Sequence, residues 1–170
     1  MSATGGPTAG RVIADLYAYG DWANERLLDS AERLAEPDLR RRFSEGALPI
    51  LESFVHLTSA DRRWFARFQG RPLPPGLTVT DLPSIAAVRK AWGDLAAERR
   101  AYMTGLDEAA LGATIRWQDG QEMREMPRWQ GLVQCANHGT QHRSEIAAML
   151  TDCSQSPGDL DFGLWCRTAR

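Results

Sequence analysis

The sequence predicts an all-α protein: an antiparallel four-helix bundle with a short hairpin between its third and fourth helices. Four segments of roughly 20 residues carry apolar side chains at three- and four-residue steps, the period of an amphipathic helix. Proline- and glycine-rich stretches separate them. A chain of 170 residues, 43% hydrophobic and 25% charged, can bury one ordinary globular core without disulfides or other staples.

The first ten residues are small and polar and are expected to be disordered, leaving residues 11–170 as a single domain. The first helix is expected from Val12 to Leu34, with Ile13, Leu16, Tyr17, Gly20, Ala23, Leu27 and Ala31 along one side and Pro37 closing the segment. The second is expected from Gly46 to Gln69, with Pro49 in its first turn, where a missing N–H costs least. Gly70 and the prolines at 72, 74 and 75 end it. A third starts near Asp81–Pro83, with Asp81 as its N-cap and Ile85, Val88, Trp92, Leu95, Tyr102 and Leu106 as its stripe. Thr114–Trp117 and Glu122–Met126 flank Asp119-Gly120, a hairpin signal. The fourth helix runs from Pro127 to Leu150, and the apolar piece Phe162–Trp165 is expected to pack back onto the bundle.

Composition narrows the function. Twenty basic against 22 acidic residues leave a net charge of −2, so no basic excess favours nucleic acid. No apolar run reaches the ~18 residues of a membrane span, and the N-terminus has no apolar signal-peptide region. The cysteines, Cys135, Cys153 and Cys166, are odd in number and lack zinc-ribbon spacing, which argues against a disulfide framework. A cytoplasmic protein binding neither nucleic acid nor membrane is therefore expected.

The three histidines carry the chemistry. His138 and His142 are four residues apart on the fourth helix, which places both rings on one face. That spacing suits two ligands to one metal ion. The run His-Gly-Thr-Gln-His puts Gly139 where a zinc protease has its glutamate, so only the ligand spacing survives. His56 lies midway along the second helix, flanked by Leu51, Phe54 and Val55, and is expected to point near the core. It is either a hydrogen-bonded core histidine or a third ligand from a facing helix. Three neutral imidazoles with an open fourth position make a catalytic centre; Cys135, one turn before His138, would instead close a structural one. Glu52, one turn before His56, and Glu145, one turn beyond His142, are the candidate acid–base or orienting groups. Each is also readable as a solvated carboxylate. Asp61 stands about 140° round the helix from His56, which suits a salt bridge to an arginine better than ligation.

Tyr19, Trp22-Ala23-Asn24, then His56-Leu57 with Asp61 and Trp64, then Asn137-His138 with His142-Arg143, occur in that order. From Leu16 to Trp165 the chain resembles the DinB-like superfamily of damage-inducible DinB and YfiT-like metalloenzymes. Ser144 and Glu145 depart from the Gly-Gln that often follows His-Arg there. The resemblance implies a four-helix bundle, a homodimer, and a divalent metal on His56, His138 and His142. Relatives include thiol S-transferases using mycothiol, bacillithiol or glutathione, and a mycothiol-dependent maleylpyruvate isomerase. The expected function is a metal-dependent thiol S-transferase acting on a small electrophile, with a low-molecular-weight thiol as co-substrate. The alternatives are a metal-dependent hydrolase and a non-catalytic, metal-supported bundle with a stress or partner-binding role. Nitrogen donors point to Zn or Ni, with Fe or Mn next.

Overall fold

The computed structural model describes residues 6–168, and it is mostly helical with one small two-stranded sheet. Residues 1–5 of the segment expected to be disordered, and Ala169 and Arg170 of the expected domain, lie outside the described residues. α1 (Ala9–Ala31) begins where the Thr8 hydroxyl accepts from the Arg11 N–H, three residues before the apolar period starts. It stops at Ala31, and Pro37 does not close it. That proline stands in the first turn of a separate short helix, α2 (Glu36–Arg40).

α3 (Ile50–Phe68) starts later than expected. Gly46 takes a left-handed φ of +81°, which no helix interior allows, and Pro49 is the cap rather than a first-turn residue. α4 (Ile85–Thr104) is capped by Ser84, whose hydroxyl accepts from the Ala87 N–H at 3.2 Å. Asp81 is not its cap. Pro83 disfavours helical backbone at Leu82, and the Asp81 carboxylate instead closes a turn, accepting from the Thr78 N–H and hydroxyl at 2.8 Å each. α5 (Glu108–Gly112) has too few residues to show a period and was not expected.

β1 (Thr114–Asp119) pairs antiparallel with β2 (Glu122–Pro127), Thr114 opposite Pro127 and Asp119 opposite Glu122. The two-residue turn is therefore Gly120-Gln121, one residue beyond the Asp119-Gly120 signal. Its positive-φ position is filled by Gly120 at +61°. α6 (Arg128–Asp152) follows Pro127 directly. Beyond it Ser154 takes the left-handed position (φ 59°) that glycine usually fills. The N–H groups of Ser154 and Gln155 close onto the Thr151 and Leu150 carbonyls. α7 (Phe162–Thr168) packs against α1: the Tyr19 ring meets Phe162 and buried Trp165, and its hydroxyl donates to the Leu160 carbonyl at 2.8 Å.

Of the long helices, α1 and α3 each pack against both α4 and α6. The apolar core falls into two main clusters. One joins Leu27, Leu28, Ile50, Phe54, Val88 and Ile146; the other joins Ile13, Tyr17, Phe65, Leu95, Leu132 and Cys135. Between them lies a polar belt. Arg99 of α4 donates to Asp61 of α3 at 2.5 Å and to Asp21 of α1, with its guanidinium 4.4 Å from the centroid of Trp92. The Trp92 indole N–H donates to Asp21 at 3.2 Å. Arg143 of α6 completes the belt, buried against Gly20 and Gly139. Burial pushes the Asp61 carboxyl up, and Arg99 and Arg143 oppose that shift.

Asp61→Ala, which leaves Arg99 short of a buried counter-charge, is expected to cost about 3–5 kcal/mol, read from the urea midpoint at unchanged m. Asp94→Ala breaks only the exposed 2.7 Å pair with Lys90 and is expected to stay within about 0.5 kcal/mol. Equal losses would mean that the belt's charges are solvated.

Candidate metal centre

His56 does not point near the core as expected. From Ser53 to Ser59 every side chain of α3 is buried except that of His56, which is exposed. It falls on the narrow sector of the helix left uncovered and faces the flank of α6. There His138 and His142, half-buried, project one turn apart, while their neighbours Gly139 and Arg143 turn inward. Ring centroids are 4.5 Å apart for His138–His142, 4.7 Å for His56–His142 and 5.5 Å for His56–His138. One nitrogen from each ring lies within 4.8 Å of the others, so the three could hold a metal ion.

The donor set fits such an ion. Tetrahedral ligation at Zn–N distances near 2.05 Å places ligand nitrogens about 3.3 Å apart. The Nε2 atoms of His138 and His142 are 3.1 Å apart. Glu145 fixes one tautomer: its Oε2 lies 2.8 Å from His142 Nδ1, so Nδ1–H donates to it and Nε2 presents a lone pair to the centre. Gln141 donates to the other oxygen of that carboxylate at 3.2 Å. Partial burial, then the neighbouring imidazoles, hold His56 and His138 below the ordinary histidine pKa. Both are therefore neutral, the form that ligates, at pH 7.

The other candidates sort by position. Glu52 is half-buried beside His56 and has no hydrogen bond or ion pair to any described residue; it borders a recess of about 360 Å³ shared with Leu48, Val55 and Leu77. On the far side of His56 a groove of about 650 Å³ runs past His142 and Glu145 between Phe43, Leu48 and Met149. Cys135 is outside the group. It packs in the second apolar cluster, and burial keeps its thiol protonated. Asp61 is held by Arg99, the salt bridge its helical angle suggests. Tyr19 ties down the C-terminal segment, and Asn24, 1% exposed, is inside the protein rather than at the groove. A third recess of about 290 Å³ leads from His56 to Arg63 and Arg67, which the sequence reading passed over. Their spacing from His56, seven and eleven residues, was the available signal.

A family model described as the DinB superfamily matches residues 20–146, a span that holds all three histidines and Glu145. Protein DinB of Bacillus subtilis (strain 168) is 22% identical over 157 residues, 88% of this chain and 91% of that protein.

Glu145→Gln keeps the size of the side chain but weakens its acceptor for His142 Nδ1–H, and is expected to lower Zn affinity about 10–100-fold in competition with a chelator. An unchanged affinity would show that Glu145 does not orient the ring. The lowered histidine values also set a sign for the metal-free protein. Between the folded values and about 6.5 the unfolded chain binds more protons, so stability is complete above pH ~6.5 and falls as the pH drops through the folded values. Thermal midpoints between pH 7.5 and 5 are expected to show that fall, and the His56→Ala/His138→Ala double variant to lack the histidine part of it.

Proposed function

The chain belongs to the DinB superfamily, and from that premise we propose that it binds one divalent metal ion through His56, His138 and His142 and acts as a metal-dependent thiol S-transferase on a small electrophile. The observation that carries the proposal is the meeting of three imidazoles from two helices, none of them buried, beside an open groove. A divalent ion, Zn or Ni by the donor set with Fe or Mn next, supplies Lewis acidity: three neutral ligands leave its charge intact to lower the pKa of a thiol or water.

The remaining work falls to the chain's own groups. Glu145 holds the His142 ring in its ligating tautomer. Glu52, unpartnered and one turn from His56, accepts the thiol proton on its carboxylate oxygen. The apolar walls at Phe43, Leu48 and Met149 shelter the electrophile from water. Overall, one bond forms from sulfur to the electrophile, the leaving group departs with its electron pair, and the thiol proton passes to Glu52. A homodimer and a role in the stress response belong to the same proposal and rest on the family resemblance; an antiparallel four-helix bundle, supported also by the four amphipathic segments, and a cytoplasmic location, supported by composition, belong to it too.

Elemental analysis of the purified protein is expected to find about one divalent ion per chain. His142→Ala is expected to lose it with helicity and melting temperature retained, and to lose thiol consumption against an electrophile panel. Unfolding on metal loss would assign the ion to the fold. Ester or amide hydrolysis without any thiol would overturn the transferase assignment in favour of hydrolysis.

A further inference from the structure

Along α3 a single stripe continues from His56 through Ala60 and Arg63 to Arg67. These side chains, with Trp64, line the recess of about 290 Å³ that opens from His56. The level of Arg63 is on the order of 10 Å along the helix from that of His56. Both arginines are half-buried, and neither has a carboxylate within ion-pair distance among the described residues. The acids nearby are already engaged: Asp61 by Arg99, Glu98 by Arg71, and Asp119 by Arg124 at 2.9 Å.

The two guanidiniums are held in place by contacts that leave their charge uncompensated. Arg63 donates one N–H to the Pro74 carbonyl at 2.7 Å. Arg67 packs beside the Trp64 and Trp117 rings, 4.7 and 5.4 Å from their centroids, where the two indoles themselves meet edge to face, and its buried Nε has no hydrogen-bond partner among the described residues. Burial, then the charge of Arg63, press the Arg67 pKa downward, and the Asp119 carboxylate, itself paired with Arg124, opposes them only in part. A role as a staple between α3 and the hairpin explains the stacking of Arg67. It explains neither Arg63 nor the missing acid.

We propose that this recess is an anion subsite that takes the carboxylate of a small organic acid. The Arg67 guanidinium rests against Trp64 and has no carboxylate at ion-pair distance among the described residues, so its planar N–H fork is available to a carboxylate. Phosphate offers similar oxygens, but the half-buried recess, walled in part by Trp64, penalises a dianion more than a monoanion. Joined to the proposed metal site, on which only this last step rests, the subsite selects a substrate or thiol whose carboxylate lies on the order of 10 Å from its reacting atom.

The test is a benzoate titration of the full chain, followed by the indole N–H resonances of Trp64 and Trp117. Both are expected to shift saturably, and benzamide, the neutral isostere, to leave them in place. Arg67→Gln and Arg63→Gln are each expected to weaken benzoate about tenfold, the loss of a charge-assisted hydrogen bond. Arg63→Gln leaves the contacts among Trp64, Arg67 and Trp117 intact, so it decides the matter if Arg67→Gln loosens the hairpin. His142→Ala is expected to bind benzoate like the parent, which separates this subsite from the metal centre. Equal binding of benzamide, unchanged affinity in Arg63→Gln, or tighter binding of inorganic phosphate would overturn the assignment.

Discussion

Four charged side chains, one from each long helix, come together inside this protein: Asp21, Asp61, Arg99 and Arg143. An apolar cluster tolerates repacking, because one methyl group replaces another at modest cost. A buried guanidinium does not, since removing its counter-charge costs several kcal/mol. The belt therefore sets how far each helix can slide against the next. A one-turn slip of α3 along α4 would separate Asp61 from Arg99. Gly20 and Gly139 belong to the same constraint: a Cβ on Gly139 would come 2.7 Å from an Arg143 nitrogen, and one on Gly20 would come 3.3 Å from it. The glycine that breaks the protease pattern between the two histidines thus leaves room for the buried Arg143 guanidinium, which a Cβ there would displace.

Register inside becomes geometry outside. His56 is five residues from Asp61, and His142 is next to Arg143 in the chain. Once the belt fixes α3 and α6, the three imidazoles have little choice but to converge on the flank between those helices. The three imidazoles lie outside both apolar clusters, so an ion held there would depend on the fold while the fold would gain little from the ion. That asymmetry favours a working ion over a structural one. Cys135, in the same helix one turn before His138, takes no part because it is buried in the second cluster.

Much of this could be read in advance. The long helices announced themselves through apolar periodicity, and the His138–His142 pair through its spacing, while His56 joined them as a ligand only through the family resemblance. The helix ends resisted because they turn on local competition. Asp81 looks like a cap until Pro83 excludes it, and Pro37 looks like a stop but begins a new helix. The belt was harder still. Arg99 and Arg143 are charged letters in a pattern that equates charge with solvent, and only the assembled structure shows them 2% and 5% exposed. The exposure of His56 failed for the converse reason, since its apolar neighbours cover every sector of α3 but its own. The recess beyond it joins α3 to residues from the 72–76 connector, a meeting no single-helix pattern contains.

The half-open placement of the histidines has an evolutionary side. Substitutions at such positions leave folding stability almost untouched, typically within about 0.5 kcal/mol. A lineage carrying this scaffold can exchange these three side chains for others while the interior goes on folding unchanged. Diversity of chemistry on a constant framework is the natural outcome of polar donors mounted on the rim.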